Sequence, residues 1–133
     1  MPIEQSLVGR TFSPTQPHQV TEDHVRAFAE ATGSTYDGGA APATYPIVLA
    51  FDAMSAFLEA EQVDLFRIVH GEQRFTYDRL VLPGDVLSAT LTVATLRRIG
   101  GADIVGTTSE ITDAQGARVC TTGATLVHRE NGS

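Results

Sequence analysis

The run from about Thr44 to about Glu59 constrains this chain more than any other stretch. Ile47, Val48, Leu49, Phe51, Ala53, Met54, Ala56, Phe57 and Leu58 place apolar side chains nearly all the way round a helix, with Asp52 and Ser55 the main interruptions. A helix with no polar face must be covered on most of its sides. No stretch of the chain reaches the ~20 apolar residues that cross a bilayer, so the cover has to be protein and no membrane partner is implied. Thr44 marks the start, its hydroxyl placed to cap, and Pro46 is tolerated in the first turn.

The remaining sequence predicts what supplies that cover. Thr21 reads as the N-cap of a short amphipathic helix, with Glu22 and Asp23 in its first turn and Val25, Phe28, Ala29 and Ala31 on its apolar face. Gly33 stands where a glycine would end it. After the small, flexible segment from Ser34 to Pro42 and the apolar helix, everything reads as strand. Strands are expected over most of Ile68–Leu80, Val86–Leu96, Ile104–Ile111 and Val119–Val127, the first beginning near Phe66. Leu82-Pro83-Gly84-Asp85, Gly100-Gly101 and Asp113-Ala114-Gln115-Gly116 supply the turns. This order implies an α+β fold, a curved antiparallel sheet wrapped round a long central helix, in a single domain over residues 1–133. The last residues, Glu130-Asn131-Gly132-Ser133, read as a frayed polar tail.

Composition narrows the function. A formal charge of −7 argues against nucleic acid as a partner, since phosphate contacts need a basic face. Cys120 is alone, so an internal disulfide is excluded, and it reads as a small buried strand residue. No Cys/His group has zinc-ligand spacing, and no metal or cofactor is expected. The opening Met-Pro-Ile-Glu-Gln lacks the basic start and apolar run of a signal peptide, which points to the cytoplasm.

Val8-Gly9-Arg10-Thr11-Phe12, Ala41-Pro42-Ala43-Thr44-Tyr45, His70-Gly71-Glu72-Gln73-Arg74-Phe75-Thr76-Tyr77 and Pro83-Gly84-Asp85-Val86-Leu87 stand at the joints of this order. With them the chain resembles the hot-dog fold of MaoC-like hydratases and dehydratases, in particular the FAS1-like dehydratase N-terminal type. It is most similar there to the A-type subunit of bacterial (3R)-hydroxyacyl-ACP dehydratases. The Pro-Gly-Asp turn alone is a weak signal; the His-Gly-Glu-Gln strand followed by that turn is a stronger one.

The resemblance implies removal of water from a 3-hydroxyacyl thioester, or its reverse. In the family, an Asp and a His in a Gly-Asp-x-Asn-Pro-x-His loop hold the water and exchange its protons, which requires their pKa values to differ. Backbone N–H groups at the head of the central helix hold the thioester oxygen. This sequence departs from the loop: Ser34 stands at the Asp position, Tyr36-Asp37 replaces Asn-Pro, and Gly39 stands where the His would be. No catalytic residue is therefore assigned. Asp37 and His70 are the only substitutes, and Asp37 beside its glycines fits simple turn chemistry.

By the same resemblance Ala43, Thr44, Tyr45, His70, Gln73 and Tyr77 are the expected substrate-binding residues. Ala50, Ala53 and Ala56 would border space for an acyl tail. His18, His24 and His128 are expected to be solvated, and Arg97-Arg98 either a solvated pair or a phosphate contact for CoA or a carrier arm. The implied ligand is an acyl thioester of CoA or acyl carrier protein. The implied partner is a hot-dog subunit carrying the Asp/His loop, or a second copy in a homodimer. The alternatives are a stand-alone homomeric hydratase or thioesterase using His70 or Asp37, and a non-enzymatic acyl-CoA-binding module.

Overall fold

The computed structural model describes residues 5–14 and 16–129; the tail expected at residues 130–133 lies outside them. Short strands β1 (Thr11–Phe12) and β2 (His18–Gln19) precede helix α1 (Glu22–Ala31). Thr21 caps α1 as expected, its Oγ1 accepting from the His24 N–H at 3.1 Å. Helix α2 (Ile47–Ala60) follows, and then strands β3 (Ile68–Tyr77), β4 (Val86–Ile99), β5 (Ala102–Thr112) and β6 (Arg118–Arg129).

Two boundaries differ from expectation. α2 begins at Ile47, and Thr44 is not its cap: Pro46 holds that place with no side-chain bond. Residues 42–48 wind more tightly first, with Tyr45 N–H donating to the Pro42 carbonyl at 2.9 Å and Ile47 N–H to Thr44 at 3.0 Å. A proline fixes its own φ and disfavours helix in the residue before it, so the regular helix starts only past Pro46. Phe66 lies outside β3, in a 3-10 turn (Leu65–Arg67) that Asp64 caps by accepting from the Phe66 N–H at 2.9 Å. Leu80 lies past the end of β3.

The strands form one antiparallel sheet in the order β1-β4-β5-β6-β3, with β2 also paired to β4. Its concave face closes on α2. Leu49, Ala53, Phe57 and Leu58 of the helix are buried with Leu87, Leu91 and Val93 of β4, Val105 and Ile111 of β5, and Cys120 and Leu126 of β6. Each fully buried Leu, Val, Ile or Phe among them contributes roughly 1.5–3 kcal/mol relative to exposure. The Phe57 ring packs at 5.0 Å between centroids on Phe12 of β1, which ties that short strand to the helix.

Bulges keep the right side chains on this face. Between Val93 and Thr95 the β4–β5 register shifts, so Val93 and Leu96 both point inward despite their odd spacing. The Gly84 turn is pinned by Asp85, which accepts from the Leu82 N–H at 2.9 Å and from Arg79 at 2.9 Å. Burial raises the Asp85 carboxyl, but the Arg79 and Leu82 hydrogen bonds outweigh it and hold the group below the ordinary range. The Pro-Gly-Asp turn is thus structural.

Opposite the β4 bulge, Gly106 pairs with Thr95, and a Cβ at Gly106 would collide with Thr95 Oγ1. Gly106→Ala is therefore expected to lower stability by roughly 1–3 kcal/mol. Adding Thr95→Ala should recover most of that loss. Denaturant melts of the single and double variants check it, and a double variant showing the plain sum of two losses would refute the contact.

Candidate functional site

Between the head of α2 and β3 lies an open groove of about 590 Å³. Phe28 and Thr32 of α1 wall one side, Thr44 and Ile47 the helix head, and His70, Gln73 and Phe75 of β3 the other. Its lining is mainly apolar, with polar groups at a few points, as a small-molecule site requires.

The β3 wall owes its form to a second bulge. The β3–β6 register shifts between His70 and Glu72, so His70 opposes Leu126 while Gln73 opposes Ala124. Simple alternation puts residues three apart on opposite faces; the bulge at Gly71 brings both His70 and Gln73 to the groove. His70 Nε2 lies 2.8 Å from Gln73 Oε1. Farther along the strand, half-buried Tyr77 donates from its hydroxyl to the Ala43 carbonyl and so holds the entry to α2. Burial, with Cys120 adding to it, pushes the Tyr77 hydroxyl up to about 12, so it stays a donor.

Thr44, His70 and Gln73 thus meet at the groove, with Ala43 and Tyr77 joined at its edge. Tyr45 does not belong there. It is fully buried, and its hydroxyl sits 2.8 Å from His18 Nε2 and 2.7 Å from His24 Nδ1. Burial pushes that hydroxyl up to about 12, so it keeps its proton. It can then donate to one ring while accepting from the other. Both histidines were expected to be solvated; His24 is exposed at the start of α1 as expected, whereas His18 is half-buried, and nothing local in the sequence links either to Tyr45. His128 corrects the same expectation. It is only 4 % exposed, with Nδ1 3.4 Å from Asp103 Oδ2, and Asp103 also accepts from Arg98 at 2.9 Å. Arg98 is therefore engaged with Asp103.

In the loop after α1 the side chains make local contacts or face solvent. The Ser34 hydroxyl donates to the Ala29 carbonyl at 3.3 Å, finishing the end of α1. Tyr36 is buried and donates to the Gly39 carbonyl at 2.7 Å. Gly39 has φ of 83°, a conformation that favours glycine, and Asp37 is exposed.

A family model, that of the FAS1-like dehydratase domain region, matches residues 6–122. The chain belongs to this family. Relatives run its full length: UPF0336 proteins of Clavibacter michiganensis subsp. michiganensis and Leifsonia xyli subsp. xyli are 39% and 37% identical, each with 97% of both chains covered. Among solved structures, a chain of the C-terminally truncated HadBC (3R-hydroxyacyl-ACP dehydratase) complex of Mycobacterium tuberculosis superposes with a TM-score of 0.81 at 27% identity, covering 94% of this chain and 99% of that one. A MaoC-like dehydratase matches at 0.80 and 25% identity, covering 96% of this chain and 43% of its own. The architecture is the hot-dog fold of MaoC-like dehydratases. No helix among the described residues is long and apolar enough to cross a membrane.

The histidine cluster has a pH signature. Burial first, then neighbouring His24, lowers the His18 pKa, against a smaller pull from Asp52. A histidine depressed in the folded state binds its proton more readily when unfolded. Its contribution is complete above its unfolded pKa of ~6.5 and is lost as pH falls from there toward the folded pKa. Thermal melts from about pH 7.5 down to about pH 5.5 are expected to show a falling Tm, and His18→Gln a shallower fall. Identical slopes in the two proteins would refute His18 as the source.

Proposed function

We propose that this chain is the channel-forming subunit of a (3R)-hydroxyacyl thioester dehydratase, of the A-type, that holds an acyl thioester of CoA or acyl carrier protein. The catalytic Asp and His come from a hot-dog partner. The observation that carries this reading is an intact groove together with a loop whose two aligned positions offer no acid or base: Ser34 is spent on the end of α1, Gly39 has no side chain, and Asp37 between them is exposed. In this reading the N–H groups of Ala43 and Thr44, two exposed residues just before α2, receive the thioester oxygen.

A partner is supported by the edge of the sheet. Among the described residues β3 is paired on one side only, to β6, and Val69 on it is exposed. Phe66 just before it is 95 % exposed, and Phe51 leaves an apolar spot on α2. An unpaired strand with exposed apolar neighbours is an assembly surface that native proteins normally cover. The HadBC chain is itself one member of a dehydratase complex.

The isolated chain is expected to hydrate a 2-enoyl-CoA at least about a hundredfold more slowly than its complex with a partner that keeps the Asp/His loop, since one positioned acid or base is worth about 10²–10⁴ in rate. Thioester binding should persist without turnover. Ser34→Asp combined with Gly39→His should recover little, because φ of 83° at position 39 strains a histidine. Steady-state hydration by the isolated protein decides the matter, with His70→Ala and Asp37→Ala as controls. Robust turnover that vanishes in either control would establish a stand-alone enzyme instead.

A further inference from the structure

Beside the groove, between α2 and the sheet, lies a small cavity of about 10 Å³, room for one water-sized group. Ile47, His70 and Gln73 line both spaces, so the two adjoin along the β3 wall. The concave face is apolar almost everywhere else, but here Thr107 and Ser109 of β5 and Thr122 of β6 turn inward and are buried. Ser109 and Thr122 face each other directly in the β5–β6 register. Gln73 completes the set. Its Oε1 is occupied by His70, while its Nε2 is buried with no hydrogen-bond partner. A buried amide N–H is rarely left unpaired, because it has given up water for nothing.

We propose that this cavity seats a hydroxyl carried by the acyl chain, so that the bound substrates are acyl thioesters hydroxylated some way beyond the thioester. The inference rests on the acyl-thioester reading above and names the substrate class within it. The position of the oxygen follows from the helix. In that reading the thioester lies at the head of α2, near Thr44. The α2 lining of the cavity runs from Ile47 through Ala50 to Met54, three to ten residues past Thr44, or roughly 5–15 Å at ~1.5 Å rise per residue. The hydroxyl that the dehydratase reaction removes is carried two carbons from the thioester carbonyl, short of the middle of that span.

A hydroxyl fits better than a carbonyl. It accepts from the Gln73 amide while donating to a Ser or Thr oxygen, and it meets the need of the amide in either orientation about its terminal bond. A purely apolar chain would leave Gln73 unpaired. A trapped water would satisfy it and make the site indifferent to the chain, which is the rival occupant.

The test is calorimetric binding of the purified chain to pantetheine thioesters of one chain length, unsubstituted or with a hydroxyl moved one carbon at a time. One mid-chain isomer is expected to bind about tenfold tighter than the unsubstituted thioester, the worth of one buried hydrogen bond. Gln73→Met, which keeps the length and removes the donor, should abolish the preference. Ser109→Ala should weaken it and leave unsubstituted binding unchanged, and melting curves verify that both variants fold. Equal binding of every isomer to the native chain would overturn the hydroxyl seat and leave the acyl-thioester reading standing. Failure of every thioester to bind would overturn both.

Discussion

The burial of α2 is the constraint on which the rest of the molecule depends. Ala53 and Phe57 have no exposed surface at all, and Leu49, Met54 and Leu58 retain almost none. A sheet covers a cylinder only by curving round it, and these antiparallel strands do so by twist and by bulges. The bulges carry a second consequence. At Val93–Thr95 the shift keeps Leu96 on the helix side. At His70–Glu72 it turns two polar side chains inward at the one place where the helix head leaves a groove.

Charge holds the ends of this wrap in place. Arg79 reaches Asp85 at 2.9 Å and Asp113 at 3.4 Å, joining the β3–β4 turn to the β5–β6 turn, and Arg118 reaches Asp78 at 2.8 Å across the same end. Exposed pairs of this kind contribute little singly; their value is in fixing which turn sits beside which. At the other end Asp103 is buried between Arg98 and His128. Arg98 is half exposed while Asp103 is buried, so removing the arginine would leave a buried carboxylate without that partner.

The loop between α1 and α2 is best understood as closure. Ser34 ends one helix, Tyr36 folds back on Gly39, and Tyr77 fastens Ala43. Each hydrogen bond ties a side-chain hydroxyl to a backbone carbonyl and fixes the path of the chain between the helices. On the far side Tyr45 holds two histidines that would otherwise be candidates for proton transfer.

The sequence by itself determined the apolar helix, the alternating strands after it, the turn residues between them and the family, because these depend on local periodicity and on glycine and proline chemistry. Through the resemblance it also led to the expectation that Ser34 and Gly39 stand at the acid and base positions of the family's loop. Only the tertiary structure decided which polar residues face inward. Along Thr107-Thr108-Ser109-Glu110 every position is polar, so alternation cannot say that Thr107 and Ser109 are buried. A one-residue bulge decides whether His70 and Gln73 share a face, and it leaves no local signature beyond a glycine. Tyr45 meets His18 and His24, and His128 meets Asp103, across separations of 21 to 27 residues. Contacts at that range are set by how the sheet closes on the helix, and no window of sequence contains them.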